Sequence, residues 1–379
     1  MTVQTVVIVG SGFYGILCAN TLVKKTNYRV VLISPSDYTY FLISSIRVCV
    51  YNEPEGSLLP LREVVDENVR IEKGVVTQFG EKAVLLNDGR EVVFDAMVIA
   101  TGAKWLDPIG TTVDFQDEYS EYFERQRDAF EAAQHVVLIG GGFNNVELAG
   151  ELLDKFGKDC QEGRKKITII HSQPLLMPND GLYCDSLRER ITAYFKSTPI
   201  DLVLSARAQL SAPNTVKLNN GETIEADFVV QSTGTRALVP PNDIEELCND
   251  SGFIRIDETF QCSAISQGHV FAIGDVTDIN LKGLVERYSW VKTLCNNIDI
   301  VLKSKSLAQD TNRDQFQRVS KRYGHKTTFV SMGRHYGSGQ LPTWFGTFVL
   351  PNWAVVWLKS RKLHIGTSTQ KLVYKAPFW

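Results

Sequence analysis

The seven cysteines include no CxxC pair and no zinc-like spacing. Cys18, Cys49, Cys160, Cys184, Cys248, Cys262 and Cys295 are scattered, and their number is odd. They are expected to be reduced thiols of an intracellular protein, with no metal site and no redox-active cysteine pair. No run reaches the ~18 uninterrupted apolar residues of a spanning helix. Positive charge is not in excess either. The 40 Lys+Arg against 43 Asp+Glu give a net charge of −3, which provides no global basic field for nucleic acid. The start of the chain lacks a basic n-region, an apolar h-region and an Arg-rich segment, so no cleavable signal is expected. Thr2 excludes N-myristoylation.

What is present is a globular composition over 379 residues, enough for two or three domains. Val6–Val9 is a continuous apolar run that suits a buried parallel strand. Gly10-Ser11-Gly12-Phe13-Tyr14-Gly15 follows at once, and then a helical pattern begins. In such a turn Gly10 permits the tight bend and Gly12 admits a pyrophosphate. Gly15 packs the helix on the strand, and the helix N-terminus stabilises phosphate charge. The second strand, Tyr28–Ile33, arrives where a βαβ unit places it. An acidic residue for the ribose hydroxyls is missing there; Ser34 stands in its place.

The unit recurs. His135–Ile139 reads as a strand, Gly140-Gly141-Gly142-Phe143-Asn144-Asn145 as a turn, and Val146–Phe156 as a helix. Asn145 replaces the third glycine. The partner strand ends in Ile170-His171-Ser172, with neither a carboxylate to repel a 2′-phosphate nor an arginine to attract it. The choice between NADH and NADPH therefore stays open. Two strand ends, Thr101-Gly102 and Thr233-Gly234, and the element Ala272-Ile273-Gly274-Asp275 support both units. Asp275 is suited to bonding the ribityl hydroxyls of a flavin. Glu147 opens the second helix, where it could simply complement the helix dipole.

In this order, GSGFYG, ATG, GGGFNNVE, STG and AIGD resemble the flavoproteins with two dinucleotide-binding domains, of the glutathione-reductase-like fold. More narrowly, the chain is similar to the apoptosis-inducing-factor family. DPIG at 107–110 and FAIGDVT at 271–277 look like its fungal members. Phe329–Gly339 and Lys359-Ser360-Arg361 look like its ferroptosis-suppressor type. The resemblance implies an α/β fold with two Rossmann-like domains and a small C-terminal α+β domain. The FAD-binding domain would take residues 1–110 and 236–305, the NAD(P)H-binding domain 111–235, and the C-terminal domain 306–379. It implies FAD contacts from Gly10, Gly12, Phe13, Gly15, Arg47 and Asp275, and a backbone contact near Val75 to the adenine. It places Glu147 and Lys359 near the flavin and nicotinamide rings.

The implied activity is electron transfer from NADH or NADPH through FAD to a second acceptor. The missing cysteine pair leaves quinones, dioxygen, ascorbate radical or small iron–sulfur proteins as acceptors, and the C-terminal segment favours a quinone. A ferredoxin or monodehydroascorbate-type reductase and a nuclear cell-death effector are the alternatives, and a cell-death regulatory role can accompany the enzyme. Within the segment 341–362, Leu341–Leu358 is apolar and tryptophan-rich, is broken by Pro342, Pro351 and Asn352, and is followed by Lys359, Arg361 and Lys362. Trp353 and Trp357 share a helix face at i, i+4. That pattern suits peripheral contact with a membrane, at a lipid droplet or the mitochondrial outer surface, on an otherwise cytoplasmic protein. The oligomeric state stays open between monomer and homodimer.

Overall fold

A computed structural model describes residues 3–25, 28–53, 57–110, 116–265, 268–279, 285–306, 313–319, 325–365 and 367–375. A five-stranded parallel sheet runs in the order Val270–Ala272, Ala96–Ile99, Gln4–Val9, Tyr28–Ser34, Arg70–Lys73. Val6, Val7, Ile8, Leu32 and Val98 are fully buried, as continuous apolar strands covered on both faces should be. Val9 is in register with both Ile33 and Ile99, so the first glycine turn leaves the sheet at the carboxyl ends of the strands. Ligands of open α/β sheets bind at that edge.

The second unit repeats the first. Asp201–Val203, Lys166–Ile170, His135–Ile139 and Phe228–Gln231 form a four-stranded parallel sheet. Each unit also carries a three-stranded antiparallel excursion, Val76–Val93 in the first and Ala208–Glu225 in the second. The chain is thus mixed α/β with two dinucleotide-binding units. The helix after the second glycine turn runs Phe143–Gln161, longer than its apolar pattern implied at both ends.

A third, antiparallel sheet of Thr328–Ser331, Gly337–Thr343 and Gly346–Leu350 follows. It lies directly on the helix Phe143–Gln161. A Cβ on Gly150 would fall 2.3 Å from the Met332 carbonyl carbon, so only glycine allows this approach. Beyond the sheet come one α-turn, Asn352–Val355, and a π-helical turn, Val356–Ser360. Of the polar stretch 304–322, residues 307–312 and 320–322 lie outside the described residues; within it the helix Arg287–Ser306 ends and Arg313–Gln315 forms a single 3₁₀ turn. Among the described residues no helix is long and apolar enough to cross a membrane.

Candidate active site

The first glycine turn is built as a phosphate cradle. Gly10 has φ +107°, and a Cβ there would sit 2.6 Å from the Ala100 carbonyl oxygen. A Cβ on Gly15 would fall 1.9 Å from the Gly10 carbonyl oxygen. Gly12 caps the helix Phe13–Leu22 without a side chain, which leaves the helix N-terminus open. A cavity of about 520 Å³ begins there, lined by Gly10, Ser11, Gly12, Ser36, Val75 and Thr101. The Thr101 hydroxyl is buried and has no partner among the described residues. An orphaned hydroxyl beside an open helix terminus fits the pyrophosphate end of a dinucleotide. Phe13 opens the helix and packs edge-on against Tyr14, and Gly102 has φ +73° just past Thr101.

Two expected contacts, those of Ser34 and Arg47, need correction. Ser34 is fully buried; its Oγ lies 2.7 Å from Ser11 Oγ and donates to the Ser36 carbonyl at 2.6 Å. It has no surface to offer a ribose, and Ser36 lines the cavity instead. Val75 does line the cavity, but its N–H already donates to Asn87 Oδ1 at 2.9 Å, and its carbonyl accepts the Asn87 N–H. Arg47 faces neither cavity. It is 1 % exposed, and its guanidinium grips Glu151 through two hydrogen bonds of 2.8 and 2.6 Å. It donates further to the Ser360 carbonyl at 2.7 Å and the Arg361 carbonyl at 3.2 Å.

The second turn solves the loss of its third glycine. Gly140 keeps φ +98° and lies under the Ser232 carbonyl. Asn145 is fully buried, and its Nδ2 donates to the Ile139 and Gly140 carbonyls at 2.9 Å each. The side chain thus folds back onto the turn and secures it. Gly142 caps the helix and has open space where a Cβ would stand. His171 buttresses the turn rather than lining a cavity. Its Nδ1 accepts the Gly141 N–H at 3.1 Å, and burial pushes its pKa down. Thr233 is exposed, whereas its neighbours Ser232, Gly234 and Thr235 line a second cavity.

That second cavity, about 670 Å³, joins all three parts of the chain. Gly274, at φ +84°, turns tightly against the Tyr14 ring and delivers Asp275 to its wall. Burial, and then the Asp275 carboxylate, raise the Tyr14 phenol pKa. Phe143 and Glu147 enter from the second glycine turn, and Phe329 and Lys359 from the C-terminal segment. Glu147 and Lys359 meet there. Lys359 Nζ donates to Glu147 Oε1 at 2.6 Å and to the Phe329 carbonyl at 3.0 Å, and sits 4.5 Å from the centroid of the Phe143 ring. The Ser331 N–H adds a second donor to Glu147 Oε1, at 2.7 Å. Desolvation still outweighs these partners and raises the Glu147 pKa. The lysine rides on the π-turn, a helical irregularity common at functional sites.

The sequence model of the pyridine nucleotide-disulphide oxidoreductase family matches residues 4–329. The chain belongs to this family. Within it, the chain is 38% identical to apoptosis-inducing factor 1 of Saccharomyces cerevisiae, over 96% of its own length and 97% of that protein. It is 25% identical to human ferroptosis suppressor protein 1, over 98% and 96%. It is therefore a flavoprotein of the apoptosis-inducing-factor type. The fold is that of a sulfide:quinone oxidoreductase from Aquifex aeolicus, with TM-score 0.76 and 17% identity over 99% of this chain and 93% of that one. The NDH2 of Plasmodium falciparum has TM-score 0.66 at 14% identity, over 98% and 97%.

The protein is an FAD-dependent NAD(P)H oxidoreductase. The first glycine turn opens onto one cavity, and Phe143, Asn144 and Glu147 of the second turn and helix line the other. Several residues of the site carried no motif. Glu151 follows Glu147 by one helical turn, an i, i+4 spacing that could have marked it. Lys326 and His364 line the second cavity from stretches with no pattern of their own. Lys326 lies 4.7 Å from the Tyr183 ring centroid, and burial lowers its pKa.

Proposed function

We propose that the enzyme transfers electrons from NAD(P)H through FAD to a quinone-type acceptor at a membrane surface. The observation that carries this reading is the Glu147–Lys359 pair, set in the wall of a single cavity shared by both dinucleotide units and the C-terminal segment. Bound FAD supplies the chemistry that couples a two-electron donor to a second acceptor. The chain supplies binding, orientation and charge. The Gly10–Gly15 turn and its helix terminus hold the pyrophosphate. Glu147 Oε1 is taken by Lys359 and Ser331, which leaves Oε2 to receive a donor such as the nicotinamide carboxamide. Phe143, Trp105 and Ile109 make the cavity wall largely apolar, which excludes water from the reacting rings.

The C-terminal segment supports a lipid-soluble acceptor. Trp344, at 89 % exposure, Phe345, Phe348, Trp353 and Trp357 all stand open to solvent on the hairpin and the turns that lead to Lys359. Arg361 and Lys362 are exposed just beyond. Exposed tryptophans beside cations suit a headgroup boundary. The quinone in the name of the Aquifex enzyme points the same way. The name of the yeast relative favours a second reading, a regulatory role in cell death that accompanies the redox activity.

The test is direct. Purified protein should show flavin bands that bleach on anaerobic NADH addition and return on adding a ubiquinone analogue, and it should sediment with anionic liposomes. Bleaching without reoxidation by the quinone would sink the acceptor assignment. Loss of any cell-death phenotype in a Glu147→Gln, Lys359→Met strain would tie the second reading to the redox site; persistence would separate the two.

A further inference from the structure

The imidazole of His364 lines the second cavity together with Lys359 and Phe329. It reaches the cavity by an unusual backbone. Leu363 has φ 45° and His364 φ 59°, two successive non-glycine residues in the left-handed region. Such a pair is disfavoured and persists only where its surroundings over-determine it. Here the Leu363 side chain is fully buried, its N–H donates to the Lys359 carbonyl at 2.7 Å, and the Ile365 N–H donates to the Lys362 carbonyl at 2.8 Å. The strain therefore fixes the histidine relative to Lys359.

Neither ring nitrogen of His364 hydrogen-bonds to the protein among the described residues. Desolvation first, then the positive charges of Lys359 and Arg287, push the His364 pKa down to about 4. The ring is thus neutral in use, with one N–H donor and one acceptor nitrogen open to the cavity. Lys359, by contrast, is held by Glu147 and the Phe329 carbonyl. A charged, occupied donor and a neutral, open donor stand side by side.

We infer that His364 is the residue that hydrogen-bonds the ring carbonyl of the electron acceptor, and so sets the preference for a quinone. The inference rests on the quinone reading above. NAD(P)H gives up a hydride, the quinone takes up two electrons and two protons, and the second proton comes from water; NAD(P)⁺ and hydroquinone leave. His364 contributes a hydrogen bond to the oxygen on which negative charge develops, and it releases no proton of its own. It enters with the C-terminal segment, whereas Phe143 and Glu147 enter with the second glycine turn and its helix. It should therefore act on the second substrate and leave the first alone.

Stopped-flow measurements on FAD-loaded His364→Phe and His364→Gln separate the two half-reactions. Flavin bleaching by NADH should keep the wild-type rate in both variants. Reoxidation by a water-soluble ubiquinone analogue should slow about tenfold or more in the Phe variant and stay within about threefold in the Gln variant, which keeps a donor. Reoxidation by ferricyanide, which needs no hydrogen bond, should not change in either. Flavin content and melting temperature identify a variant that merely misfolds, and the Gln variant then decides. Quinone reoxidation as fast in the Phe variant as in wild type overturns the inference while the quinone reading stands. Slowed bleaching by NADH also overturns it. A wild-type enzyme that does not reduce the quinone at all sinks both.

Discussion

Replacing Lys359 by methionine removes the cation from a pair in which Glu147 is 1 % exposed. At 2.6 Å the attraction is roughly 6 kcal/mol at an effective dielectric near 20. Most of it offsets the desolvation of the two charges, and breaking one side of a buried pair costs about 3–5 kcal/mol. The carboxyl can escape that loss by taking a proton. Desolvation already raises its pKa in the native protein, against Lys359, the Ser331 N–H and Arg47, with Glu151 one turn away on the same helix. Without Lys359 the folded pKa rises further. A carboxyl whose folded pKa lies above its unfolded value binds more protons when folded, so stability falls as pH rises from the ordinary carboxylate range through the folded pKa. The Lys359→Met protein should therefore lose about 3–5 kcal/mol at pH 8 and less than half of that at pH 5. Glu147→Gln combined with Lys359→Met should return to within about 1 kcal/mol of wild type at every pH. Guanidinium unfolding of the FAD-loaded proteins at pH 5, 6.5 and 8 gives these numbers. A loss that does not change with pH, or a double variant no better than the single one, would refute the reasoning.

Arg47→Met should cost about 3–5 kcal/mol by stranding Glu151, and Arg47→Met with Glu151→Met should recover most of it. Flavin content per folded chain should not change; a flavin affinity weakened more than about tenfold at intact stability would put Arg47 back at the cofactor. Gly15→Ala places a methyl 1.9 Å from the Gly10 carbonyl oxygen and should yield no flavin-loaded protein in an absorbance scan. Asn145→Gly, which restores the glycine pattern, should nonetheless destabilise by about 1–3 kcal/mol through two lost hydrogen bonds and added backbone freedom, read by denaturant midpoint. Trp344→Ser with Phe345→Ser should leave stability within about 0.5 kcal/mol, since both side chains are exposed, yet cut liposome sedimentation at least about tenfold.

The glycine turns were legible because the constraint they answer is local. Gly10 and Gly15 face a carbonyl a few residues or one strand away, and no other residue fits. Glu147 and Lys359 were legible as separate residues through family likeness, but their contact spans 212 positions and left no mark in the sequence. Arg47 misled for a related reason. Family likeness suggested an FAD contact, whereas its partners lie 104 and 313 residues away. Ser34 stood where a ribose ligand belongs, but burial against Ser11 removed it from reach, and nothing in the strand pattern reports burial of a strand's last hydroxyl.

The grip of Arg47 on Glu151 and on the Ser360 and Arg361 carbonyls has a bearing on how the enzyme is made. On the ribosome, both glycine turns and the strands they pack against, ending at Ala100 and Ser232, emerge well before residue 359. Lys359 reaches Glu147 only when the last turn docks on an arginine that has waited through more than three hundred residues of synthesis. Nascent or prematurely ended chains would thus carry cofactor cradles without a finished cavity. The cavity wall that holds Glu147 and Lys359 is thus completed only by the last part of the chain.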